Sequence, residues 1–77
     1  MDINKLNAAI GAQLRGARAT ADYSRERLAE LAGLSPKTIQ RIENGERPAD
    51  IAQLGALCEA LEQDLTGLVK RAVEASK

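Results

Sequence analysis

The twenty residues RERLAELAGLSPKTIQRIEN, Arg25 to Asn44, decide how the chain folds. Ser24 precedes them as an N-cap, and Arg25 to Ala32 read as a short helix with Leu28, Ala29, Leu31 and Ala32 apolar. Gly33 closes that helix, because glycine enters the left-handed region without a Cβ penalty. Leu34 then leads to Ser35 and Pro36, a second N-cap with proline at the first helical position. There its fixed φ suits the helix and its missing N–H is not needed. The next helix runs from Pro36 to about Asn44 with Ile39 and Ile42 on its inner face. Gly45 stops it, and Glu46, Arg47 and Pro48 form a polar loop.

A sharp corner between two short helices has narrow steric needs. The first helix must offer a small residue where the two cross, here Ala29, and the turn needs a glycine, here Gly33. Leu28, Ala32, Leu34, Ile39 and Ile42 supply the apolar plug from both sides. All these requirements are met together, which is the helix-turn-helix layout.

Upstream, Ile3, Leu6, Ile10, Leu14, Ala17 and Ala21 recur at steps of three and four, predicting a first helix from roughly Asp2 to Ala21. Gly11 and Gly16 lie inside it, each costing about 1 kcal/mol relative to alanine, and are expected to mark close approach of another helix. Downstream, Asp50 and Gln53 form a capping pair that opens a fourth helix with the stripe Ile51, Leu54, Leu57, Cys58 and Leu61. Asp64 caps a fifth, with Leu65, Leu68, Val69, Ala72 and Val73 apolar, and the chain is expected to fray from about Ala75. With no repeat, linker or low-complexity stretch, residues 1–77 read as one all-α domain of five helices. Ala and Leu supply 24 of the 34 hydrophobic residues, Phe and Trp are absent and Tyr23 is the sole aromatic, a composition that favours helix over strand.

The residue inventory excludes several chemistries. With no histidine there is no Ser/His or Cys/His nucleophile pair and no imidazole for acid–base work or metal ligation. One cysteine makes no internal disulfide, and Cys58 sits in an apolar helical pattern that suits a small core residue. Neither an enzyme nor a bound metal, cofactor or small-molecule ligand is expected. Without a signal peptide or long apolar run, the expected location is the cytoplasm.

Formal net charge is zero, from 11 basic and 11 acidic residues. Nucleic-acid binders usually carry a basic excess, so the total argues against one. The distribution is less even: residues 1–48 hold eight Lys/Arg against six Asp/Glu, and residues 49–77 hold three against five.

The stretch YSRERLAELAGLSPKTIQRIENG resembles the two-helix core of the phage repressor and Cro family, the lambda-repressor-like fold, and ADIAQLGALCEALEQDLTGL resembles that family's fourth and fifth helices. The resemblance covers about Ile10 to Leu68. It implies a compact five-helix domain that binds double-stranded DNA through its third helix, usually as a homodimer. By position it directs Pro36, Lys37, Gln40 and Arg41 toward base edges in the major groove. The inward turn of Ile39 and Ile42 agrees, because it leaves Lys37 and Arg41 four apart on the opposite face with Gln40 and Asn44 beside them. Arg41 suits guanine O6 and N7, Gln40 suits adenine N6 and N7, and Lys37 suits a guanine or a phosphate. Pro36 replaces the polar residue often found there and leaves an apolar contact. Pro48 stands one residue before the usual place of the loop proline, which Ala49 takes.

Phosphate contacts are expected from Arg25, where relatives often carry Gln, and from Ser35, Thr38, Asn44 and Arg47. Arg18 and Glu43 resemble a pair that joins the first and third helices in some family members, and they are expected to form a structural ion pair. Lys5, Arg15 and Arg27 read as solvated surface; Lys70, Arg71 and Lys77 read as partners of a helix dipole. Leu65, Leu68, Val69 and Val73 are core by default. They also exceed one face of a terminal helix, so residues 64–77 are candidates for a dimer contact.

The expected function is a sequence-specific regulator of transcription, a repressor acting as a homodimer on a palindromic operator. The competing reading is an antitoxin, a protein-binding module that inhibits a partner and binds DNA secondarily.

Overall fold

Each helix starts where a short oxygen-bearing side chain caps it. In the computed structural model, which describes residues 1–77, the elements are α1 (Ile3–Thr20), α2 (Arg25–Ala32), α3 (Pro36–Glu43), α4 (Ile51–Ala60) and α5 (Leu65–Ala75). Their N-caps are Asp2, Ser24, Ser35, Asp50 and Asp64, and every one accepts from a backbone N–H of the first turn. Asp50 and Gln53 complete a reciprocal capping box. Pro36 occupies the first turn of α3.

Helix ends follow a shared rule with two chemical solutions. A left-handed residue closes α2 at Gly33 (φ 71°), and another follows α3 at Gly45 (φ 73°). After α1 and α4 the same conformation falls to Asp22 (φ 60°) and Glu62 (φ 55°), side-chain-bearing residues that sequence alone did not mark as turns. At all four ends an N–H reaches back to a carbonyl five residues earlier: Tyr23 to Arg18, Leu34 to Ala29, Glu46 to Arg41 and Gln63 to Cys58.

The core gathers Leu14 of α1, Leu28 and Ala29 of α2, Ile39 and Ile42 of α3, Leu54, Leu57 and Cys58 of α4, Leu61, and Leu68 of α5. The Cys58 thiol is buried, and burial pushes its pKa up, so it stays protonated as a small apolar filler. Three residues assigned to apolar faces are more exposed than their periodicity suggested. Ile3 and Ile51 are the first residues of α1 and α4, and Ile51 is 76% exposed. Leu31 faces outward at 43%. Leu68, conversely, is fully buried within the single chain, so it belongs to the core and is withdrawn from the dimer-contact candidates. Leu65 and Val69 are half-buried against that core, and Val73 is half-buried beyond it.

Two contacts fix α3. The first is steric. Gly11 of α1 is buried against the last turn of α3, and a Cβ there would lie 2.7 Å from the Glu43 carbonyl oxygen and closer still to that of Ile42. Gly16 has nothing within 4 Å of a built Cβ, so its expected role in close packing is corrected.

The second contact is electrostatic. Glu43 is 2% exposed. Arg18 Nε donates to its Oε2 at 2.6 Å and Nη2 to its Oε1 at 3.0 Å, a two-pronged pairing, while Arg18 Nη1 donates to the Tyr23 carbonyl at 3.0 Å. Arg25 Nε adds a bond to Glu43 Oε1 at 3.1 Å. One carboxylate thus ties α1, α2 and α3, and Arg18 joins the turn between α1 and α2 to them. The hydrogen bond to Glu43 raises the Arg18 pKa, with burial opposing it. A base whose folded pKa is raised contributes stability that is lost only when pH climbs through its own alkaline range, so the arginine side of the clamp is constant around neutral pH.

The two glycines of α1 predict opposite outcomes. Gly11→Ala should destabilise by about 1–3 kcal/mol, because the new methyl meets backbone that no rotamer change can move. Gly16→Ala should stabilise by roughly 0.5–1 kcal/mol through helix propensity. Urea unfolding of both variants checks the pair. For the clamp, Glu43→Leu or Arg18→Met alone should cost about 3–5 kcal/mol, whereas the double variant should lose clearly less than the sum, since no uncompensated buried charge remains at that pair.

Candidate nucleic-acid interface

Burying Ile39, Ile42 and Glu43 leaves α3 one outward row. Pro36, Lys37, Gln40, Arg41 and Asn44 are all exposed, and the 3.6-residue period sets Lys37, Gln40, Arg41 and Asn44 along one strip. Both basic residues of the strip lack an acidic partner, since the ion pairs of the chain use Arg18, Arg25, Arg27 and Lys77. Their donors therefore face solvent. In such a strip a guanidinium presents a rigid fork matched to two acceptors on one base edge, and an amide presents a donor and an acceptor side by side.

Around the strip, the side chains expected at phosphates differ in how free they are. Ser35 is already engaged as the cap of α3: its Oγ accepts from Thr38 N–H at 3.1 Å and donates to Thr38 Oγ1 at 2.9 Å. That leaves the half-buried Thr38 hydroxyl as the donor facing outward. Asn44 is the exposed C-cap of α3, and Arg47 is half-buried in the following loop. Arg25, expected from sequence to contact phosphate at the start of α2, commits its Nε to Glu43, with a side chain 36% exposed. The clamp therefore carries two cations on one anion. Glu26, in the same first turn of α2, also acts on Arg18, so the surroundings of the clamp are close to neutral overall. No sequence signal pointed to Arg25 as a clamp member, because its partner lies 18 residues away and only the α2–α3 corner brings them together.

Three further basic residues are engaged within the chain. Arg27 pairs with Glu30 on α2, and Lys77 approaches Glu74 at 4.0 Å. Arg71 does not merely complement a helix dipole: its Nε donates to Gln13 and its Nη2 to Gln63, linking α5 to α1 and to the turn before α5. No group of His, Cys, Asp and Glu has the geometry of a metal site, and no helix is long and apolar enough to cross a membrane.

This geometry agrees with what the chain is similar to. Residues 9–69 match the family described as helix-turn-helix domain. Among solved structures, the clp gene regulator ClgR from Corynebacterium glutamicum superposes with a TM-score of 0.87 at 28% identity, covering 94% of this chain and 92% of that one. The restriction-modification controller protein C.AhdI from Aeromonas hydrophila superposes with a TM-score of 0.76 at 30% identity, over 79% of this chain and 92% of that one. No curated protein matches the sequence. The match of the family over most of the chain and the helix-turn-helix corner at Arg25–Asn44 lead to one assignment: the chain belongs to the helix-turn-helix domain family and is a DNA-binding regulator of the phage repressor and Cro type.

Proposed function

We propose that the protein is a sequence-specific repressor of transcription that binds a palindromic double-stranded operator as a homodimer. The observation that carries this reading is the exposed row Pro36, Lys37, Gln40 and Arg41 on a helix whose opposite side is locked by Ile39, Ile42 and Glu43. In this reading Arg41 grips a guanine edge, Gln40 an adenine, Lys37 a guanine or phosphate, and Pro36 a thymine methyl. Phosphates are held by Arg25 through its terminal nitrogens, by Thr38, Asn44 and Arg47, and by backbone N–H groups near Ser35.

Reach and charge both support a dimer. Successive major grooves on one face of DNA lie about 34 Å apart. The domain measures 33 × 22 × 21 Å and carries one reading helix, so a two-turn site takes two chains. A chain of zero net charge has little general attraction to phosphate, and pairing two half-sites compensates for that. Leu65, Val69 and Val73 on α5 are the remaining contact candidates, each half-buried in the single chain. A regulatory role in the same broad class is supported by the gene regulator and the controller protein to which the chain is similar.

Fluorescence anisotropy against duplexes selected from a random pool tests the reading. Arg41→Ala should cost about 1–3 kcal/mol on the selected site and relax the preference at one base position. Arg47→Ala should weaken selected and random DNA alike and lower the salt slope by roughly one. Sequence-independent affinity in the parent protein, or identical profiles for the two variants, overturns the assignment.

A further inference from the structure

A second surface, apart from the α3 strip, combines apolar exposure with unpaired charge. Between α2 and α4 lies an open groove of about 430 Å³ lined by Tyr23, Leu31, Ala56, Glu59, Ala60 and Glu62. Leu31 is the one large apolar side chain of α2 turned to solvent. Tyr23, the only aromatic residue, forms one wall. Glu59 and Glu62 are exposed at the rim, and neither belongs to any ion pair of the chain. Glu62 also sits at φ 55°, a conformation that Gly33 and Gly45 occupy without penalty in the turns after α2 and α3. An acidic side chain thus stands where the turn would favour glycine, and it stands at the edge of the groove. Two unpaired carboxylates repel phosphate, so this face is not a continuation of the DNA surface.

We propose that the groove docks a basic amphipathic helix of a partner protein. Its apolar side chains seat on Leu31, Ala56 and Ala60, and its Arg or Lys residues meet Glu59, Glu62 and the face of Tyr23. Helix-in-groove recognition uses this division of labour, with apolar anchors on one face and flanking charges that set orientation. An arginine gains further from the electron-rich face of a tyrosine ring. A second copy of this chain carries no net charge, so a partner helix with a basic excess is the better electrical match to the two carboxylates.

The test is an NMR titration of the full ¹⁵N-labelled chain with two synthetic helical peptides that share one leucine face, flanked in one by arginine and in the other by glutamate. The arginine peptide should shift the amides of Tyr23, Leu31, Ala56 and Ala60, and the glutamate peptide should shift none. The Glu59→Gln/Glu62→Gln double variant should weaken binding by roughly tenfold, the scale of two partly exposed charge pairs. Leu31→Asn, a surface change, should weaken it independently, and the variants' thermal melts confirm that both remain folded. Equal binding of the two peptides, shifts centred on other residues, or unchanged affinity in both variants overturns the proposal. Concentration-dependent shifts at the groove in the free protein would instead assign it to a second copy, and would overturn it equally.

Discussion

Glu43 carries a formal charge at the last turn of α3 with 2% of its surface exposed, a position an isolated carboxylate could not hold. It is tolerated because Arg18 meets both of its oxygens and Arg25 meets one of them. These arginines come from the end of α1 and the start of α2, so satisfying the carboxylate places three helices relative to one another. Gly11 works in the same place by a different means, letting α1 approach the backbone at Ile42 and Glu43 more closely than any side chain permits. Apolar burial alone would accept small rotations of α3 about its axis. A hydrogen-bonded carboxylate accepts few, and any rotation of α3 turns the row from Pro36 to Arg41 away from a fixed groove.

Charge neutrality over the chain and a basic reading row are compatible because much of the acidic charge is placed elsewhere or cancelled, Glu46 in the loop after α3 being the exception. Glu43 faces inward under two arginines, and Glu30 faces Arg27. Glu59 and Glu62 belong to the α2–α4 groove, away from α3. Lys37 and Arg41 remain without an acidic neighbour in ion-pair range. A protein so arranged draws little on long-range attraction, and its discrimination rests on a few well-oriented donors.

The elements were legible in the sequence wherever a local signal sufficed. Ser24, Ser35 with Pro36, Asp50 with Gln53, and Asp64 each mark a helix start by chemistry confined to three or four residues. Gly33 marks a stop in the same way, and the apolar spacing of Leu28, Ala29, Ile39 and Ile42 reports the corner itself. Local signals failed where geometry depends on partners distant in sequence. Gly11 and Gly16 read alike, and only the position of α3 separates a required glycine from a replaceable one. Arg25 read only as a phosphate contact, and the corner brings it to Glu43 as well. Asp22 and Glu62 carried no turn signature because neither is a glycine, yet both adopt a positive φ. Periodicity placed Ile3 and Ile51 inward, yet a terminal residue is covered only if a neighbouring helix extends past it. Leu68 looked surplus to one face until the close packing of so small a core was seen to absorb it entirely.

The buried Glu43 clamp sets the orientation of the reading helix. The most direct measurement is the ratio of affinities for selected and random duplex DNA in Glu43→Gln, taken at a temperature where the variant is still folded. The substitution loosens α3 and also removes one negative charge beside Arg18 and Arg25. Affinity for the selected site should therefore fall while affinity for random DNA holds or rises, collapsing the ratio by about an order of magnitude or more. A ratio unchanged from the parent protein would show that α3 keeps its orientation without the clamp, and would contradict the account.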